Sequence, residues 1–321
     1  MTASEGRISL WGIEVFVATA EEESLSAAAR RLDASPATVS QQLTNLEAAI
    51  GVRLLDRAAR PVRLTPAGEI FLRRANAILN EADQARAELG LRQLASLTRF
   101  RLGMIEDFDA EVTPRLLASM GEELERCQFL LETGPSHRLY DLLDARALDV
   151  IVAADIGVGG EGMERHPLFE EPFVLAVPKG FGEAEPRALR RLPMIRYTTR
   201  HHMGRTIAAH LAREGVVLPY RFEMDSYHAV MAMVAAGTGW TVLTPMGWLA
   251  AERVHASVEL RPMPFAPLSR SISLISREGV LGDMTADMAA RLRPLLTEFI
   301  VAPVVAEHPW LEGRLKVLGR E

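Results

Sequence analysis

The 321-residue chain is long enough for two or three domains, and its 48% hydrophobic and 24% charged residues exclude wholesale disorder. A formal net charge of −6 excludes a broadly basic nucleic-acid-coating protein, although a local basic patch suffices for phosphate contact. A single cysteine, Cys127, excludes an intrachain disulfide framework, and no apolar run approaches the ~20 residues of a membrane span. The first residues, MTASEGRISLW, lack the charged-then-apolar layout of a signal peptide, so the cytoplasm is the expected location.

Leu10 to Ala20 opens the pattern: Ile13, Phe16, Val17 and Ala20 recur at helical spacing and give a first helix with one buried face. Leu25, Ala28, Ala29 and Leu32 repeat that spacing, and the two alanines let another helix cross close by. A turn follows at Asp33-Ala34. Ser35 then reads as an N-cap and Pro36 as a first helical residue. In the helix they start, Val39, Leu43, Leu46 and Ile50 share one side. The opposite side shows Ala37, Gln41, Thr44 and Asn45, flanked by Thr38 and Ser40. A solvated helix face ordinarily carries Lys and Glu, and this one carries neither. Short, uncharged polar groups suit base edges in a major groove. Ala37, Thr38, Gln41 and Thr44 are the expected base readers, with Ser26 and Ser40 at phosphates.

Leu54 to Arg57 and Val62 to Leu64 flank Ala58 to Pro61 like two short strands and a tip. Between Arg53 and Arg74 lie six arginines and two acids, a local basic excess directly after the recognition helix. Arg53, Arg57, Arg60 and Arg63 are expected to lie along the DNA backbone or a minor groove.

These residues resemble the LysR-type transcriptional regulators. The match runs through FVATAEEESLSAAARRLDASPATVSQQLTNLEAAIGVRLLDR and on through RLTPAGE, with the Ala-Ala pair, the Leu46-Glu47 pair, Gly51 to Leu54 and Thr65 to Gly68 all in register. The resemblance implies an α/β protein with an N-terminal winged helix-turn-helix, a long linker helix for dimerisation, and a C-terminal effector domain of two lobes with the fold of periplasmic binding proteins. It covers about Ile8 to Ile300, tightly at the front and loosely behind. The expected divisions are 1–65 for DNA binding, 66–92 for the linker and 97–300 for the effector domain. Lobe I takes 97–170 plus 271–300, lobe II takes 175–268, and 301–321 is a tail without an assigned role. Promoter DNA, a small effector, further copies of the chain as dimer or tetramer, and RNA polymerase are the implied partners. No cofactor or metal is expected.

The linker is legible on its own. After Thr65 and Pro66, residues Phe71, Ala75, Ile78, Ala82, Ala85 and Leu89 alternate four and three apart, the repeat of a two-helix seam. A dimer built on it would present two recognition helices to a two-fold operator. From Phe100 the pattern changes to strands alternating with helices: FRLGMI, Val112 to Glu125, QFLLE, Arg138 to Ala145 and LDVIVA. FVLAVP, PMIRY, RFEM, Tyr227 to Ala236 and WTVLTP continue it, and Ser271 to Ile275 with Thr285 to Ile300 close it. Such alternation implies parallel sheets covered by helices. The expected lobe crossovers lie near Glu171 to Pro178 and Pro267 to Ser271.

Ligands of open α/β sheets sit beyond the carboxyl ends of strands. That rule selects the stretches Ile105 to Phe108, Thr133 to Ser136, Ala154-Asp155, Thr198 to Arg205 and Asp225 to Tyr227, and within them Ile105, Glu106, Asp107, Thr133, Gly134, Ser136, Asp155, Thr199, Arg200, His201, Asp225 and Ser226 are the expected contacts. Thr133 to Ser136 also reads as an anion perch, with hydroxyls and backbone N–H groups near a helix start. Family members often place hydroxyl side chains after the first strand to bind carboxylates. Here Glu106 and Asp107 stand there, which speaks against a simple anionic effector and leaves an amphoteric or cationic one open. His201, His202 and His210 match no common zinc spacing. Ser136-His137 lacks a nucleophile elbow. Met224, Met231, Met233 and Trp240 read as packing, and Cys127 as a redox sensor only if exposed. Two rivals remain: an enzyme whose helical head merely dimerises it, and a DNA-binding scaffold whose cleft is filled by its own side chains.

Overall fold

Each of the first three helices starts at a serine whose hydroxyl accepts an otherwise orphaned backbone N–H. In the computed structural model, which describes residues 7–88, 99–125, 127–157, 162–182, 185–216 and 220–319, these helices are α1 (Leu10–Glu22), α2 (Leu25–Arg31) and α3 (Pro36–Ile50). Ser9 accepts from Gly12 at 3.0 Å, Ser24 from Ala27 at 3.3 Å and Ser35 from Thr38 at 3.1 Å. Gly51, at φ 82°, closes α3 in the left-handed conformation. Val39, Leu43 and Leu46 are buried against Ile13, Phe16 and Val17 of α1, each contributing about 1.5–3 kcal/mol by area. Strands β1 (Leu55–Asp56) and β2 (Arg63–Leu64) pair antiparallel as the wing.

Helix α4 (Pro66–Glu88) begins where Thr65 Oγ1 accepts the Gly68 N–H at 3.0 Å and donates to the Arg53 carbonyl at 2.8 Å. A Cβ at Gly68 would lie 2.0 Å from the Leu54 carbonyl oxygen, so only glycine lets this turn rest on the wing. Gly68→Ala is expected to cost the N-terminal unit about 1–3 kcal/mol, read as an earlier first transition in urea unfolding of the full chain. Phe71 meets Phe16 edge-on at 5.2 Å, and Ala75 is fully buried. These two seam candidates are therefore taken up by their own protomer's core. They share a helix side with Gly68, while Ile78, 40% exposed, and Ala85 turn outward beside Ile70, 60% exposed. Ala82 is half-buried, and Leu89 lies outside the described residues.

The chain folds into two compact units, residues 1–92 with 144–147 and the remainder. In the second unit one sheet holds β3 (Arg99–Met104), β4 (Gln128–Thr133), β5 (Val150–Ala154), β6 (Met163–Pro172), β12 (Ser269–Arg277) and β13 (Lys316–Val317) in the order β13-β6-β12-β5-β3-β4. Helices α5 (Val112–Glu123), α6 (Ser136–Asp144) and α11 (Met284–Leu296) belong to the same lobe. The other lobe contains β7 (Val174–Pro178), α7 (Pro186–Leu189), β8 (Met194–Tyr197), α8 (His202–Arg213), β9 (Tyr220–Met224), α9 (Tyr227–Ala235), β10 (Thr241–Leu243), α10 (Pro245–Leu249) and β11 (Val258–Arg261). Its strands form a β10-β7-β11 sheet and a β8-β9 pair, joined by a bridge between Met194 and Trp240.

The expectation of parallel sheets is only partly met. The pairs β3–β4, β3–β5 and β8–β9 are parallel, but β12 pairs antiparallel with both β5 and β6, and β10 and β11 pair antiparallel with β7. The reason is the route of the chain. β12 returns from the second lobe and inserts between β5 and β6, so it must run against them.

The segment after residue 300 is not an appendage. A π-helical turn at 297–301 carries α11 into α12 (Ala302–Glu307), and β13 then pairs antiparallel with β6. Val304, Leu311 and Leu315 are buried in the same core as the sheet. His308 meets Trp248 of α10 edge-on at 4.7 Å, so the segment touches both lobes.

Candidate functional site

Two places gather chemistry. The first is the face of α3 opposite its buried side. Ala37, Thr38, Gln41 and Thr44 are exposed there, with Ser40 half-buried. Gln41 Nε2 donates to Asn45 Oδ1 at 2.9 Å, which orients its amide along the helix surface. Ser26, Arg53, Arg60 and Arg63 are exposed around it. Arg57 departs from the expectation of a free phosphate contact. It pairs with Glu47, donates to Thr44 Oγ1 at 3.0 Å, and is half-buried. Glu47 Oε1 also accepts the N–H groups of Leu54 and Leu55, at 2.8 and 3.1 Å. This one carboxylate therefore ties the recognition helix to the wing, a role that spacing alone did not reveal.

The second place is a cleft of about 270 Å³ between the two lobes. Of the residues expected from strand ends, Ile105, Glu106, Asp107, Gly134, Ser136, Asp155 and His201 line it. Thr133, Thr199, Arg200, Asp225 and Ser226 do not. Thr133 donates to Asp109 at 3.2 Å, the Thr199 N–H goes to Glu223 at 3.2 Å, and Arg200 meets Asp225 at 3.3 Å on the exposed rim. Ser226 stands at the N-cap position of α9. A strand-end rule selects whole loops, but only one side of each loop faces the cleft.

The floor holds what the sequence reading missed. Arg270, at the start of β12, is 11% exposed in its side chain and sits between two carboxylates: Nε reaches Glu171 at 2.6 Å and Nη2 reaches Asp107 at 3.1 Å. Nη2 also contacts Thr244 Oγ1 at 3.3 Å. Glu171 is fully buried and accepts the Met246 N–H at 3.2 Å. Burial pushes the Glu171 carboxyl up, against the pull of Arg270. Burial opposes the Arg270 charge as well, but Glu171, Tyr227 and Asp107 more than offset it and keep the guanidinium ionised. Burial also raises Glu106, with Asp107, Asp109 and Asp225 adding to the shift. Asp155 is raised by burial despite its ion pair with Arg165. His201 and His202 are lowered by burial, helped by His137 and Arg205 respectively.

The sharper alternatives find no constellation. His210 is buried with Nε2 on the Ala266 carbonyl at 2.9 Å, and no group of three or more potential metal ligands occurs among the described residues. Ser136 Oγ accepts the Ala154 N–H at 3.1 Å, which makes it a structural link between α6 and β5. Trp240 and Met231 are buried as core, and Cys127 is half-buried outside the cleft.

Residues 10–69 match the profile of a bacterial regulatory helix-turn-helix protein of the lysR family, and residues 96–296 match the LysR substrate binding domain. The chain belongs to the LysR family. It is a DNA-binding transcriptional regulator with an effector domain, which disfavours the enzyme rival. It is 34% identical over 172 residues to a probable hydrogen peroxide-inducible genes activator of Mycobacterium xenopi, covering 54% of this chain and 90% of that one. To the DNA-binding transcriptional dual regulator OxyR of Escherichia coli it is 27% identical, over 83% of this chain and 88% of that one. Among solved structures, a C206 mutant of Corynebacterium glutamicum OxyR superposes with a TM-score of 0.63 at 25% identity, covering 94% of this chain and 96% of that one. No helix among the described residues of this LysR-family chain is long and apolar enough to cross a membrane.

Proposed function

We propose that this LysR-family regulator reads promoter DNA with the exposed side of α3 as a dimer or a dimer of dimers, and that a small molecule in the interlobe cleft changes its assembly geometry. The observation that carries the first half is the α3 surface itself: the amides of Gln41 and Asn45 and the hydroxyls of Thr38 and Thr44 exposed without a charge, flanked by the exposed Arg53, Arg60 and Arg63. Ile70, Ile78 and Ala85, turned outward on α4, are the residues offered to a second copy. Binding at promoters places the protein in the cytoplasm and within reach of RNA polymerase.

Open space in the cleft supports the effector half and speaks against a scaffold with a self-filled cleft. Several relatives are named for induction by hydrogen peroxide. A response through an intrachain disulfide would need two cysteines, and this chain has one. The open cleft instead supports a response to a bound small molecule. The thermodynamic requirement is that the ligand favour one assembly geometry over another.

Anisotropy titrations of a regulated promoter fragment test the DNA half. Gln41→Ala is expected to weaken specific binding by about 1–3 kcal/mol and to relax sequence preference. Arg60→Ala is expected to weaken all DNA alike and reduce the salt slope by about one. Wild-type protein that binds promoter and unrelated duplex equally would overturn the proposal.

A further inference from the structure

We propose that the cleft selects an organic cation, a ligand with an ammonium group held by Glu106 and Asp107 beside the rings of Tyr197 and Tyr227. The inference rests on the effector-binding reading above and adds the chemical class of the ligand.

Charge inside the cleft is the first observation. Glu106, Asp107 and Asp155 line it, and Arg270 is the one guanidinium among the described lining residues. Arg270 is already committed through Nε to Glu171 and through Nη2 to Asp107 and Thr244, and the contact of Nη1 is the Met203 sulfur at 3.9 Å. Arg165 offsets Asp155. The two histidines that line it, His201 and His202, are pushed down by burial, which disfavours their charged forms. With these pairs accounted for, Glu106 is left over; burial pushes its carboxyl up, and an entering cation acts against that shift. An entering carboxylate meets a negative wall whose guanidinium is already engaged. An entering ammonium meets Glu106, which has no ion pair among the described residues.

The second observation is independent of charge. Tyr197 and Tyr227 lie together with ring centroids 5.2 Å apart, tilted by 33°, and both line the cleft. Their hydroxyls are engaged, Tyr197 with the Asp225 carbonyl at 2.9 Å and Tyr227 with the Met203 sulfur at 3.2 Å. What they have left for a ligand is ring surface, whose quadrupole attracts cations. Carboxylates beside paired tyrosines form a receptor for an amine or quaternary ammonium. Phe173, Ile105 and Met203 also line the cleft and add apolar contact for its carbon skeleton.

The test uses the full-length protein and six probes: tyramine, agmatine and choline as cations, and 4-hydroxyphenylacetate, benzoate and succinate as anions. Thermal-shift measurements select binders, and titration calorimetry gives their affinities. At least one cation is expected to stabilise the protein, with affinity reduced fivefold or more by Glu106→Gln and abolished by Thr206→Trp, which fills the cleft from α8. A cation whose affinity is indifferent to both substitutions binds elsewhere and overturns the proposal. A carboxylate that binds, and loses binding on Thr206→Trp, overturns the cation assignment while leaving the effector reading intact. If none of the six binds, the cation proposal falls.

Discussion

Replacing Arg270 by methionine is expected to destabilise the effector unit by about 3–5 kcal/mol, because it leaves Glu171 and Asp107 facing each other without their shared cation. The side chain volume is nearly kept, so the loss is electrostatic rather than a cavity effect. Both crossover strands take part, Glu171 near the end of β6 and Arg270 near the start of β12. Asp107 adds the first lobe, and Thr244 with the Met246 N–H adds the second. The pH dependence has a definite sign. Burial raises the folded-state pKa of Glu171 above its unfolded value, so the folded protein binds more protons in the window just above the ordinary carboxylate range. Stability linked to this group is fully present below the unfolded pKa and is lost as pH rises through the folded one. Without Arg270 the shift grows, so the variant should be less impaired at pH 5 than at pH 8. Urea unfolding of both proteins at the two pH values checks this. Arg270→Lys, which keeps the charge but not the fork, should fall between them. Equal destabilisation at both pH values would show that Glu171 does not carry the effect.

This triad also shows where a sequence stops being legible. The N-terminal unit could be read because its signals are local: Ser35 before Pro36, Gly51 after Ile50, and a helical repeat of Val39, Leu43 and Leu46 that had to face something. Strand β6 gave no such signal. It carries Glu164, Arg165, His166, Glu170 and Glu171, and two prolines at 167 and 172, and is a strand because β12 and β13 pair with it on either side. Long-range pairing overrides its local preference. Arg270 and Glu171 lie 99 residues apart, and nothing near either residue announces the other. Cleft residues on strand ends, such as Asp107 and Ser136, were accessible to a topological rule. Tyr227 lies in the selected stretch Asp225 to Tyr227 as well, but Tyr197 does not, because it ends β8 inside a segment that reads as ordinary strand. In the linker the error was different in kind. A four-and-three spacing marks a buried helix face but does not say whose surface buries it, and for Phe71 and Ala75 that surface is α1 of the same chain.

Glu47→Ala should damage operator binding more than removal of any single base-reading side chain. The carboxylate is 13% exposed and does three jobs at once: Oε1 accepts the N–H groups of Leu54 and Leu55, and Oε2 holds Arg57. Charge-assisted hydrogen bonds of this kind contribute about 1.5–3 kcal/mol each. Losing the shared acceptor also strands two backbone donors at the root of the wing. We expect the N-terminal unit to lose about 3–5 kcal/mol in total. Bringing the α3 surface and the wing arginines back into register then draws on binding energy, so promoter affinity drops by more than the Gln41→Ala variant shows. Glu47→Gln separates the two functions of the side chain. Its amide oxygen can still accept from the backbone, but the ion pair to Arg57 is gone, and Arg57 no longer has a carboxylate to hold it beside Thr44. If the backbone clasp dominates, Glu47→Gln retains most of the stability and most of the affinity in anisotropy titrations. If the ion pair dominates, it behaves like alanine. Wild-type affinity in Glu47→Ala itself would mean that the wing finds its position without this contact, and the claim that one carboxylate sets the geometry of the DNA-reading face would fail.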